Sequence, residues 1–255
     1  MTSIGSASSR GQTADSASAS GIRRRIGWIG PLLVLAVVAV LAALSAPHTK
    51  KPAPIAGDRG AAEPSEQEEA ANPFAPLIRR QEGDPLALGR VDAPVVIIEY
   101  ADFQCPYCAR FARQTVGQLK TEYVDRGLVR IEWRDLPILG PESETAAAAA
   151  RAAGAQGRFW EYHDALYAED RRVNSGALTD AALRAIAADL GLDLARFDLD
   201  RDSGATRAAL ARDEQEAIAL GITGTPAFIV DDTPVIGAQP YEEFKRIIDA
   251  ALAKR

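Results

Sequence analysis

VVIIEYADFQCPYCARF, residues Val95 to Phe111, runs from an apolar, β-branched segment into Cys105-Pro106-Tyr107-Cys108 and on into a helical pattern. Pro94 marks the start of the strand, and Val95 to Tyr100 is apolar almost throughout, as expected of a strand buried on both faces beneath covering helices. Beyond the cysteines, Cys108, Ala112, Val116, Leu119 and Tyr123 recur at helical spacing, and Gly127 stops the helix. Leu128 to Trp133 then alternates as a second strand, so the opening is β-α-β and implies a parallel sheet.

Cys105 and Cys108 are the only two cysteines of the 255 residues. A disulfide needs α-carbons within about 7 Å, which a first helical turn provides for residues three apart. Pro106 fits the first helical position, leaving Cys105 as the cap that faces unpaired amide donors. A helix N-terminus and a C-x-x-C arrangement both favour the thiolate, so Cys105 is the attacked sulfur and Cys108 the resolving one. Zinc would want four ligands, and the only histidines are His48, in a polar stretch, and His163, far along the chain, so no metal is expected. A structural disulfide between them would close too small a loop to stabilise much.

From Ser143 to about Leu220 the pattern reads as helices without a strand signal: an alanine-rich one ending near Gly154, then Phe159 to Tyr167, Thr179 to Leu190 and Arg201 to Leu220. His163 in the second of these is read as a packed, hydrogen-bonded residue near the surface in preference to a catalytic one. Ala227 to Val230 and Val235-Ile236 make a hairpin around Asp231-Asp232, with Pro234 suited to an edge strand. An amphipathic helix from Tyr241 to Ala253 follows.

The N-terminal third is of another kind. Residues 1–25 have a Ser/Ala/Thr/Gly-rich composition that buries no core and read as a disordered cytoplasmic tail. Ile26 to Ala46 is free of charge and, as a helix, would span about 31 Å. Arg23, Arg24 and Arg25 precede it, so the segment reads as a signal anchor with the rest of the chain outside the cytoplasmic membrane; its length exceeds the core of a cleaved signal peptide. Residues 47–84, rich in Pro, Ala and Glu, read as a flexible linker, and 85–255 as one domain. Twenty-nine basic against 35 acidic residues suit solubility and exclude a nucleic-acid role.

The order β-α-β, a helical insertion over about 142–220, then β-β-α, with Cys-Pro-Tyr-Cys opening the first helix, resembles the DsbA branch of the thioredoxin superfamily. The resemblance covers most of Asp84 to Arg255 and is carried by Glu99 to Phe111, Phe159 to Tyr167 (FWEYHDALY) and Gly221 to Val230 (GITGTPAFIV). It implies an α/β thioredoxin-like fold without a cofactor.

The same resemblance implies roles. Thr225-Pro226 matches the loop that carries a cis proline beside the cysteines and offers its backbone to an extended substrate segment. Glu99 matches a buried acid that helps move the proton of the second cysteine, and burial would raise its pKa. Tyr107 departs from the histidine of the best-known DsbA proteins, and Cys-Pro-Tyr-Cys is shared with glutaredoxins and DsbG-type isomerases. The activity implied is disulfide formation in exported, cysteine-containing proteins by a membrane-tethered monomer, reoxidised by a quinone-linked membrane partner. The alternatives are a tethered reductase or isomerase and, in another class, a non-catalytic binding module on the same scaffold.

Overall fold

A computed structural model describes residues 72–255. The anchor expected over Ile26–Ala46, the tail before it and the linker up to residue 71 lie outside those residues; among the described residues no helix is long and apolar enough to cross a membrane. The linker expected through residue 84 gives way earlier to packed chain. A single turn at Ala75–Leu77 brings Phe74, Leu77 and Ile78 onto one face of the sheet, against Ile98, Tyr100 and Ile229. Partial burial of these three apolar side chains is the signal that composition alone obscured.

Five strands form one sheet in the order β1-β3-β2-β4-β5. They are β1 (Ala87–Leu88), β2 (Val95–Ala101), β3 (Val129–Asp135), β4 (Ala227–Val230) and β5 (Thr233–Ile236). The central pair β2–β3 is parallel, with Val95 opposite Val129 and Glu99 opposite Trp133; β4 runs antiparallel to β2 and sets Phe228 opposite Glu99. Pro234 does lie on the edge strand β5. The two-residue β1 went unread because it has too few side chains to show a period.

Helix α1 covers residues 106–124 between β2 and β3, with two wider i→i+5 turns at Ala112–Val116 and Lys120–Val124. The insertion holds α2 (Pro141–Gly154), α3 (Phe159–Tyr167), α4 (Asp180–Asp189), α5 (Leu194–Arg201) and α6 (Gly204–Ala219); α7 (Tyr241–Ala253) closes the fold. The helix expected from Arg201 to Leu220 is α6, which starts three residues later, whereas α5 before it was not expected. Asp193 caps α5 by accepting from the amides of Ala195 and Arg196 at 3.0 and 3.1 Å, and Ser203 caps α6 by accepting from Thr206 at 3.0 Å. Both are favoured N-cap residues, so two successive helix starts were written in the chain as caps ten positions apart.

β3 also differs from its expected alternation, because all seven residues are buried, Arg130, Glu132, Arg134 and Asp135 included. These charges are paired. Glu132 accepts from Arg130 Nε at 3.0 Å and Arg134 Nη2 at 3.2 Å, and its two oxygens take the backbone N–H groups of Arg79 and Arg80 at 2.9 Å each. Arg134 Nε and the Tyr100 hydroxyl both donate to Glu216, at 2.9 and 2.6 Å. A buried charge without such partners would be strongly destabilising, so this cluster fastens the entering chain and α6 to the sheet.

Candidate active site

Strand alternation puts Val95, Ile97, Glu99 and Ala101 on the sheet face covered by α1, α3 and α7. At the end of β2 the chain must turn into α1, and Asp102 makes the turn. Its Oδ1 accepts from the Gln104 amide at 2.7 Å and the Ser143 hydroxyl at 2.6 Å, its Oδ2 from the Leu139 amide at 2.9 Å, and its carbonyl from Cys105 N at 3.0 Å and the Tyr167 hydroxyl at 2.9 Å. The Gln104 side chain is equally engaged. Its amide donates to Ser143 Oγ at 2.9 Å and Asn174 Oδ1 at 3.1 Å, and its carbonyl accepts from Asn174 N at 2.6 Å. Sequence reasoning passed over Asp102, Gln104, Ser143, Asn174 and Tyr167; the one available signal was an Asp two residues before Gln104, in Asx-turn spacing.

Cys105 is the N-cap of α1 and Pro106 its first residue. The Cys108 amide donates to Cys105 Sγ at 3.4 Å. Cys105 is pulled down to a pKa of about 6, chiefly by a hydrogen bond from the Cys108 thiol; burial works against this, while the Thr225 side chain and the amides of Cys108 and Tyr107 reinforce it. The Cys108 thiol is driven the other way, well above the ordinary thiol range, by burial and by its neighbour's sulfur. The two sulfurs of one motif are thereby made unequal.

The structure brings Thr225 and Pro226 to this pair. The Thr225–Pro226 bond is cis, and Cys105 Sγ lies 3.2 Å from the Thr225 carbonyl oxygen. Glu99 sits under the pair within β2, only 1 % exposed. Burial pushes its pKa up to about 8, and its Oε2 has no hydrogen-bond partner. Tyr107 is 57 % exposed, with the Arg110 guanidinium 5.2 Å from its ring centre and hydrogen-bonded to the Ala238 carbonyl at 3.1 Å. Tyr107, Arg110, Gln114, Thr225 and Gln239 line an open cleft of about 660 Å³ beside Cys105. An extended peptide could lie there next to the reactive sulfur.

His163 differs from its expected place near the surface: it is fully buried among the rings of Phe103, Trp133, Trp160 and Tyr167, with Nδ1 2.8 Å from Asp164 Oδ1. The helix pattern did not show this, because the covering rings come from β3 and the β2–α1 turn as well as from α3 itself. Among the described residues no group of three or more His, Cys, Asp or Glu could hold a metal ion.

A thioredoxin family model matches residues 81–250. Among curated relatives, a Na(+)/H(+) antiporter NhaA 1 of Salinispora arenicola is 38 % identical over 169 residues, covering 65 % of this chain and 24 % of that protein. The chain thus spans about a quarter of the length of that relative. A probable disulfide bond formation protein D of Bacillus cereus is 28 % identical over 172 residues, covering 66 % of this chain and 79 % of its own. Among solved structures, a thioredoxin-like oxidoreductase of Silicibacter pomeroyi superposes with a TM-score of 0.58 at 30 % identity, over 67 % of this chain and 97 % of that one. Wolbachia pipientis alpha-DsbA1 gives a TM-score of 0.59 at 27 % identity over 66 % and 91 %, and oxidised BdbD of Bacillus subtilis, at 24 % identity and a TM-score of 0.62 over 67 % and 94 %, shares the fold. The chain belongs to the thioredoxin family, and its similarities run to DsbA-type thiol-disulfide oxidoreductases.

Proposed function

We propose that this chain forms disulfides in exported proteins. The observation that carries the reading is the inequality of the two sulfurs: Cys105 is held near a pKa of 6 while Cys108 is raised well above the thiol range. A stabilised Cys105 thiolate favours the reduced enzyme, and whatever favours the reduced form makes the disulfide form a stronger oxidant. The similarity to the Bacillus cereus relative, a probable disulfide bond formation protein, supports the same direction.

In the forward reaction a substrate thiolate attacks Cys105 Sγ, and the Cys105–Cys108 bond breaks with its electron pair going to Cys108. Cys108, whose thiolate is disfavoured by burial, takes a proton from Glu99, which is largely protonated at neutral pH. The substrate's second thiolate then attacks its own sulfur in the mixed disulfide and releases Cys105 as the thiolate. Two electrons have passed from substrate to enzyme. The Thr225 backbone and the cleft beside Tyr107 hold the substrate segment, mostly through main-chain contacts and hence with broad specificity.

The domain is read as working outside the cytoplasmic membrane, tethered through Ile26–Ala46, on cysteine-containing exported proteins. A quinone-linked membrane protein would reoxidise it. Equilibration of the full chain with glutathione buffers tests the direction. A potential above about −200 mV supports the oxidase, whereas one below about −250 mV replaces it with a tethered reductase.

A further inference from the structure

Among the described residues, the buried side-chain atoms without a hydrogen-bond partner include Glu99 Oε2, Trp160 Nε1 and His163 Nε2. These three belong to one region. Glu99 lies on β2 between Trp133 of β3 and Phe228 of β4, and these two rings belong to the two apolar clusters on the helix-covered face. Trp160 packs against both clusters. The His163 ring centre is 5.2 Å from that of Trp133 and 5.1 Å from that of Trp160.

The three atoms are also complementary. Trp160 Nε1 only donates. With the Nδ1 proton of His163 on Asp164 Oδ1, 2.8 Å away, Nε2 is an acceptor. A carboxyl can do either. The other polar groups nearby are already engaged: the Tyr167 hydroxyl with the Asp102 carbonyl, Asp102 with Ser143 and two amides, and Arg113 on α1 with the Tyr167 carbonyl and Asp170. Buried polar groups left unpaired are costly, and an internal water with two to four polar partners is the usual remedy. Beyond His163 the way out is short, since the Asp164 side chain is 74 % exposed.

We infer that Glu99, Trp160 and His163 hold a shared internal water, and that this water, His163 and Asp164 form the route between Glu99 and solvent for the proton exchanged with Cys108. The inference rests on the proposed role of Glu99. When Cys108 must become a thiolate, its proton passes to ionised Glu99, from there through the water to His163 Nε2, and the Nδ1 proton leaves to Asp164. The ring has then changed tautomer. When Cys108 must be reprotonated, Asp164 delivers a proton to Nδ1 and the Nε2 proton returns through the water to Glu99, which restores the first tautomer. Trp160 holds the water and carries no proton in either step.

The test uses the full chain with Cys105 in a mixed disulfide with a chromogenic aromatic thiol. Release of that thiol by Cys108 is followed in single turnover from pH 6 to 9. Glu99→Gln should slow release at least tenfold at pH 7, and His163→Gln should do the same. Asp164→Asn, at an exposed position that leaves packing intact, should slow it about threefold, with added imidazole buffer restoring part of the rate. In both relay variants the loss should shrink toward pH 9, where hydroxide can take the proton directly. Slowing by Glu99→Gln with wild-type pH profiles for His163→Gln and Asp164→Asn would overturn the relay and leave the role of Glu99 standing. A wild-type rate in Glu99→Gln would instead overturn the role of Glu99 itself, and the relay with it. Should His163→Gln fail to fold, Asp164→Asn and its imidazole rescue decide.

Discussion

Cys105 Sγ lies 3.2 Å from the Thr225 carbonyl oxygen, a contact between residues 120 positions apart that only the packing of the β4 approach against the start of α1 can make. The side chain of Thr225 adds a hydrogen bond that favours the Cys105 thiolate. Thr225→Val keeps the shape and removes that donor. It should raise the Cys105 pKa from about 6 by roughly one unit, since one hydrogen bond to the charged form is lost and the amides of Cys108 and Tyr107 remain. Titration of thiolate absorbance near 240 nm reads the change directly.

The unequal sulfurs fix how the reduction potential depends on pH. Below the Cys105 pKa of about 6, reduction takes up two protons with two electrons; above it, with Cys108 still a thiol, only one. The potential should therefore fall by about 59 mV per pH unit below pH 6 and about 30 mV per unit above it. Glutathione equilibrations between pH 4.5 and 8.5 would show the break. A single slope of about 59 mV across this range would mean that Cys105 is an ordinary thiol.

Glu99 makes an opposite kind of prediction, because its pKa is raised in the fold, to about 8 from a model-peptide value of 4.5. A carboxyl that is raised on folding contributes fully below its unfolded pKa, and that contribution is lost as pH rises through the folded one. Wild-type stability should thus decline between about pH 4.5 and 8 relative to Glu99→Gln, by on the order of 3 kcal/mol at pH 7. Denaturant titrations of the two reduced proteins at pH 4.5 and 7.5 check this. The same variant should form and resolve mixed disulfides more slowly, a loss of rate for a gain in stability.

Much of this architecture can be read from local pattern, and the reason is physical. Val95 to Ala101 is buried on both faces and apolar but for Glu99 and the Tyr100 hydroxyl, so the strand was plain; α3 and α7 begin and end where their periodicity does. The redox pair was equally plain, because Cys105, Pro106 and Cys108 act through one helical turn. What stayed hidden depends on contacts between distant segments. The strap at residues 72–80 reads as more linker until Glu132 takes its two amides, and β3 reads as half-exposed until Arg130, Arg134 and Glu216 supply its partners. The buried place of His163 is of the same kind, set by rings on β3 and in the β2–α1 turn.

Gln104 and Asn174 form the contact that ties the turn before Cys105 to the insertion, and it is specific enough to be tested alone. Each polar atom of the Gln104 amide is used: two donor hydrogens on Ser143 and Asn174, and one oxygen on the Asn174 amide. Asn174 in turn donates from Nδ2 to the Leu139 carbonyl at 2.7 Å and holds a positive φ of 50° that asparagine tolerates better than most residues. Gln104→Ala would remove three hydrogen bonds at once and leave a buried hydroxyl without its donor, a loss of about 2 kcal/mol and roughly 4–8 °C in Tm for a domain of this size. Hydrogen exchange should quicken at Asn174 and in the segment around it, while the Cys105 pKa stays near 6, because none of the hydrogen bonds that set it comes from the Gln104 side chain. A Cys105 pKa that rose with the loss of Gln104 would instead make the clasp part of the redox chemistry.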